Sequence, residues 1–120
     1  MPFATNILIT IIALLQVYFL VLEMFLWDKP LGMKIFGMTK ESAASTKVLA
    51  ANQGLYNGFL AAGLMWGLSL GAGGISIKTF FLCCVLVAGL YGAASTGRKT
   101  ILYIQSVPAA IALALLLFAQ

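Results

Sequence analysis

One carboxylate lies inside a long apolar run of this chain. Glu23 stands four residues before Trp27 in the run 3–27, while the other acids, Asp28 and Glu41, lie outside any such run. An ionisable group at membrane depth is costly; it faces a bundle interior or a water-filled cavity and marks a ligand, ion or proton site by default. Amides and a phenol recur at matching places: Gln16 in the same run, Asn52, Gln53 and Asn57 after Lys47, Tyr91 before Arg98, and Gln105 after Lys99. At 1.5 Å of rise per residue, Glu23, Asn52, Gln53, Tyr91 and Gln105 fall about 6–11 Å from one membrane face. Gln16 lies two turns above Glu23 on one helix face, and Asn57 one turn above Gln53, which extends the stripe toward the midplane. Such a set offers recognition by hydrogen bonds, with Glu23 able to carry charge or a proton. The competing reading is interhelical glue, in which amides and phenols tie neighbouring helices together and do nothing else.

Other chemistries lack their residues. The chain has no His, so no zinc or haem ligand set and no Ser-His-Asp or Cys-His arrangement can be built. Cys83 and Cys84 are adjacent, and neighbours on a helix do not face each other. A disulfide between them would be badly strained, so they read as small apolar fillers. Phosphate loops and dinucleotide fingerprints are absent. No metal site, cofactor or catalytic residue set is therefore expected.

The elements that must position Glu23 follow from composition. Of 120 residues, 62% are hydrophobic and 8% charged, against about 25% charged in an ordinary soluble domain. The net charge of +4 is too sparse for a phosphate-tracking stripe, so nucleic acid is not an expected partner. A helix crossing about 30 Å of hydrocarbon needs about 20 apolar residues. Four segments meet that, at about 3–27, 48–70, 79–95 and 100–119. Their continuous apolar runs do not alternate as a transmembrane strand would. The first lacks the basic start and small-residue cleavage site of a signal peptide. The expected fold is all-α, a transmembrane four-helix bundle, with 1–120 as a single membrane domain in the lipid bilayer.

The connections are unequal. Segment 28–47 is long, and Pro30, Gly32 and Gly37 read as helix breakers. Met33, Ile35, Phe36 and Met38 between Lys34 and Lys40 suit a stretch lying on the membrane surface. Thr39 is an expected N-cap, with Glu41 in the first turn. Gly71–Gly74 and Gly97 read as tight breaks. Gly54 with Gly58, and Gly63 with Gly67, have GxxxG spacing and read as close helix packing; Gly89 and Gly92 read likewise. Pro108 cannot donate to the carbonyl of Ile104 and should kink its helix. Lys29, Lys34, Lys40, Lys47, Arg98 and Lys99 fall on one side and Lys78 alone on the other, which by the positive-inside rule makes 28–47 a cytoplasmic loop and both termini non-cytoplasmic.

The run Leu22-Glu-Met-Phe-Leu-Trp27, the run from Lys47 through Asn52-Gln-Gly-Leu-Tyr-Asn57 to Gly63, and Ala88-Gly-Leu-Tyr-Gly-Ala-Ala94 resemble the DUF1304 family, as do Gln105 and Pro108. The resemblance covers nearly the whole chain. It implies a small four-helix membrane protein and singles out Glu23, Asn52, Gln53, Tyr56, Asn57, Tyr91 and Gln105. It implies no activity. The family pattern often carries His where this chain has Gln16, and Gln cannot shuttle a proton near neutral pH.

Four functions compete. First is binding or passage of a small or lipid-like ligand in a polar cleft open to the cytoplasmic half. Second is a structural protein that stabilises the membrane or packs on partners, a homo-oligomer included. Third is a proton-coupled small-molecule exporter, which also uses a Glu in its first helix; the six-to-one charge bias departs from a dual-topology exporter. Last is an intramembrane lipid or terpenoid isomerase, weakened because one carboxylate without His gives no acid–base pair. The reading thus leans away from an enzyme.

Overall fold

The computed structural model describes residues 2–118, and every regular element among them is helical. Helix α1 runs Pro2–Met24. It stops short of the expected Trp27, and a turn leads to Pro30. The residue before a proline is driven to extended backbone, and Lys29 sits at φ −97°, ψ 162°. The N–H groups of Phe25 and Leu26 both donate to the Val21 carbonyl, at 3.0 and 3.2 Å, and close the last turn.

Pro30 and Gly32 do not break helix. Pro30 opens α2, Pro30–Phe36, at the first-turn position where a missing N–H costs nothing. Gly32 is buried inside it, and a Cβ there would run into the Leu26 carbonyl. Gly37 does terminate the helix, at φ 63°, and Met38 N–H donates back to Met33 O at 2.9 Å. Thr39 then caps α3, Lys40–Ser69, by accepting the Ser42 N–H at 3.1 Å, as its sequence position implied.

A 3₁₀ turn, Gly71–Gly74, leads into α4, Ile75–Thr96. This helix begins earlier than expected, so Lys78 belongs to its first turn rather than to a loop. Gly97, at φ 71°, ends it and donates to Ala93 O. The final stretch is α5, Lys99–Ile101, a π-helical turn, Leu102–Ser106, and α6, Val107–Phe118. That π turn directly precedes Pro108 and is closed by the Val107 N–H on Leu102 O. The expected helix end at Ala119 lies outside the described residues.

Three stretches, Phe3–Met24, Gly71–Thr96 and Lys99–Phe118, are long and apolar enough to cross a membrane. Helix α3, at 30 residues, is long enough, but Asn52, Gln53 and Asn57 dilute its hydropathy. Large apolar side chains stay exposed along these helices, among them Ile11, Leu14, Phe59, Trp66, Val87 and Ile111. Such a surface is compatible with a lipid bilayer environment, where apolar side chains need no covering.

The chain divides into two compact units. One is Leu14–Ala61; the other joins the chain before Leu14 to the chain after Ala61. In the first, α1 and α3 approach closely at Gly54 and Gly58, where a Cβ would press on Met24 and Leu20 of α1. The same unit ties its polar end together. Trp27 Nε1 donates to Thr46 Oγ1 at 3.0 Å, the Trp27 and Phe36 rings lie 4.8 Å apart, and Lys47 pairs with Asp28 at 3.0 Å. In the second unit Gly63 and Gly67 accept Phe81 and Lys78 of α4, and Gly89 lies against Ser106, whose hydroxyl donates to Leu86 O at 2.9 Å. Leu82, Val85, Ala109, Ala112 and Leu116 are buried there. Both GxxxG pairs thus serve close packing, each in its own unit.

The Asp28–Lys47 pair gives a first test. The hydrogen bond from Lys47 holds the Asp28 carboxyl below the ordinary carboxylate range. With a depressed pKa, the pair's contribution is present at neutral pH and is lost as pH falls through the folded value. Asp28 is the one Asp in the chain, so its side-chain carboxyl gives a single ¹³C resonance in an Asp-labelled sample. In Lys47→Ala its midpoint is expected to rise toward the ordinary carboxylate range. An unchanged midpoint would show that the pair does not persist in solution.

Candidate functional site: a buried carboxylate held by two amides

The C-terminal half of α1 and the N-terminal half of α3 run antiparallel through Gly54, which brings the polar faces of the two helices together. Glu23 is 3% exposed. Its two oxygens accept from two different amides: Gln53 Nε2 at 2.6 Å and Asn57 Nδ2 at 2.5 Å. Residues four apart lie on one helix face, so one stretch of α3 reaches both oxygens. Asn57 is buried and Gln53 is exposed, so the cluster runs from the interior to the surface.

Gln16 is also on α1, two turns before Glu23 on the same face, and is 1% exposed. Its Oε1 is buried and accepts no hydrogen bond. A buried acceptor left unmatched costs about 1–3 kcal/mol, so this oxygen is a second unusual feature of the unit.

The remaining expected residues go elsewhere. Asn52 and Tyr56 are exposed on α3, and the side-chain hydrogen bonds to Glu23 come from Gln53 and Asn57 instead. Tyr91 and Gln105 belong to the other unit. Tyr91 is exposed beside Val87 and Ala88 in an apolar surface groove of about 520 Å³ on α4. Gln105 lies in the π turn, half-buried, and its Oε1 likewise accepts no hydrogen bond.

Sequence reasoning missed one polar cluster. Lys78 is 4% exposed, and its Nζ donates to Asn6 Oδ1 at 3.0 Å, with Thr5 buried on the same helix as Asn6. Read as a loop cation, Lys78 drew no partner. The signal was available in Asn6, a polar residue near the start of an apolar run. Cys83 and Cys84 are free thiols, and no group of His, Cys, Asp or Glu among the described residues could hold a metal ion.

Fold and site together define an all-helical protein with membrane-length apolar helices and one carboxylate tied to a facing helix. The comparisons agree with the resemblance read from the sequence. The DUF1304 family, described as a protein of unknown function, matches residues 10–117, and the chain belongs to it. It is similar to the uncharacterized protein YpaA of Lactococcus lactis subsp. lactis (strain IL1403), 31% identical over 104 residues, covering 85% of this chain and 87% of that one. No solved structure matches the chain.

Proposed function

We propose that this protein is a four-span membrane domain whose Glu23 cluster binds, or passes, a small or lipid-like ligand entering from the cytoplasmic side. One observation carries the reading: Glu23 is buried, yet Gln53, which holds one of its oxygens, is exposed. Glue alone needs no such opening, because an interhelical hydrogen bond is as effective when sealed. Helix α3 supplies the fourth span in this reading. Loop 28–47 and the Arg98–Lys99 turn lie in the cytoplasm, and the termini lie on the far side.

One labelling experiment tests the opening and the orientation together. In a chain with Cys83 and Cys84 replaced by Ala, a cysteine is placed either at Lys34 in α2 or at Gln53. Both Lys34→Cys and Gln53→Cys are expected to react with a membrane-impermeant thiol reagent, and only when the cytoplasmic face is presented. Reaction of Lys34→Cys from the opposite face would overturn the orientation. Reaction of Lys34→Cys with protection of Gln53→Cys would overturn the cleft and leave the glue reading.

A further inference from the structure

The segment that joins α1 to α3 carries more positive charge than it neutralises within itself. Lys29, Lys34, Lys40 and Lys47 stand against Asp28 and Glu41. Lys47 is taken by Asp28, at 3.0 Å. Lys29, Lys34 and Lys40 are exposed and form no ion pair among the described residues, so within the segment only Glu41 is left to offset them. A surface with that excess favours an anionic partner.

Helix α2 sets an apolar flank beside these lysines. Gly32 and Phe36, four residues apart, share the face turned toward the end of α1. Gly32 lies against the Leu26 carbonyl and the Trp27 backbone, and the Phe36 ring lies on the Trp27 ring. At about 100° of turn per residue, Lys34 then projects from the opposite side, and Leu31 and Ile35 lie together on the flank between. Leu31 is 49% exposed, and Phe25, just past the end of α1, is 63% exposed. A lysine stem can lie along such apolar surface and lift its ammonium to the polar level above it.

We propose that segment 29–40 is a binding surface for anionic phospholipids, in which Leu31 and Ile35 enter the acyl region and Lys29, Lys34 and Lys40 meet the negatively charged headgroups. This rests on the membrane-spanning part of the reading above, and not on a ligand at Glu23 or on which face is cytoplasmic. The position of the segment favours lipid over an acidic protein. Helix α1 is long and apolar enough to cross a membrane and ends at Met24, and α2 begins at Pro30. The lysines are therefore held at headgroup height. A short helix with an apolar flank and a lysine beside it suits the plane of the interface, and anionic lipid adds electrostatic attraction to the apolar contact. A soluble acidic protein would match the charge but would have to displace lipid from Leu31 and Ile35.

The chain has two tryptophans, so Trp66→Phe leaves Trp27 as the single reporter, half-buried against Phe36 of α2. The full chain with that change is placed in phosphatidylcholine vesicles that carry either brominated phosphatidylcholine or brominated phosphatidylglycerol at equal mole fraction; bromine on an acyl chain quenches a tryptophan it touches. Phosphatidylglycerol is expected to associate about three- to fivefold better beside Trp27, and the preference is expected to shrink at about 0.5 M salt as the charges are screened. Replacing Lys29, Lys34 and Lys40 together by Gln is expected to remove most of the preference and to leave quenching by phosphatidylcholine as it was. Leu31→Ser with Ile35→Ser is expected to weaken quenching by both lipids. Equal quenching by the two lipids before any Lys is replaced would overturn the proposal and leave the lysines to an acidic protein. A full preference that survives the three Gln changes would overturn it as well, by placing the anionic lipid on other residues. Absence of quenching by either lipid would overturn the surface contact itself, and thiol labelling of Lys34→Cys then decides separately whether the spanning reading falls with it.

Discussion

Glu23→Gln is expected to fold and unfold almost as the wild-type chain does, and to lose ligand binding. The reason lies in the two amides. In the wild type both carboxylate oxygens accept, one from Gln53 and one from Asn57. A carboxamide in that place has one acceptor oxygen and one NH₂, so one facing amide must turn its oxygen toward it. That turn is inexpensive if the amide oxygens are otherwise unbonded, as they are here. The scaffold therefore survives, while the one charge-bearing group is gone. Glu23→Ala differs. It leaves two amide donors without partners and opens a cavity between α1 and α3. Interhelical hydrogen bonds are worth about 1–2 kcal/mol each at most, so the two lost with Glu23→Ala are expected to cost up to about 2–4 kcal/mol. Thermal unfolding in detergent, measured beside ligand binding, separates the outcomes. A Gln variant indistinguishable from wild type in both would leave Glu23 as a structural tie and end the binding reading.

Gly54→Val is expected to damage the same site from behind, by forcing the helices apart. A Cβ at Gly54 would lie 2.6 Å from Met24 Cγ, 3.1 Å from Glu23 Cβ and 3.2 Å from the Leu20 carbonyl oxygen. Met24 can swing away. The Leu20 carbonyl is backbone inside α1, and it moves only if the helix moves. Overpacking of this kind costs about 1–3 kcal/mol, and the separation would stretch both amide contacts to Glu23. Gly58→Ala is the comparison. Its Cβ would meet only Leu20 Cδ1, at 2.7 Å, the free end of a flexible side chain. That change is expected to cost less than about 1 kcal/mol. Thermal unfolding together with the Glu23 carboxyl resonance reads both effects. A Gly54→Val chain as stable as the wild type, with an unmoved Glu23 signal, would show that the close approach of α1 and α3 does not hold the site.

The glycines show how far spacing alone could be read. Both GxxxG pairs were legible as packing, since only a missing side chain lets two backbones come so near. Which helix each pair meets was not legible: Gly54 and Gly58 meet α1, Gly63 and Gly67 meet α4. Pro30 shows the opposite error. A proline was read as a break, yet at the first position of α2 it loses no hydrogen bond and starts a helix instead.

By itself the sequence determined the element type and an apolar surface compatible with a bilayer. Runs of about 20 apolar residues must bond their own backbone, so they are helices. It also determined that Glu23 needs a partner and that Gln53 and Asn57, four residues apart, share a face. Only the tertiary structure decided that these three meet, while Asn52 and Tyr56 face outward and Tyr91 and Gln105 belong to another unit. Depth along a helix follows from counting residues at a fixed rise. The rotation of one helix against another does not, because it is set by side-chain packing at positions such as Gly54 that are far apart in sequence from their partners.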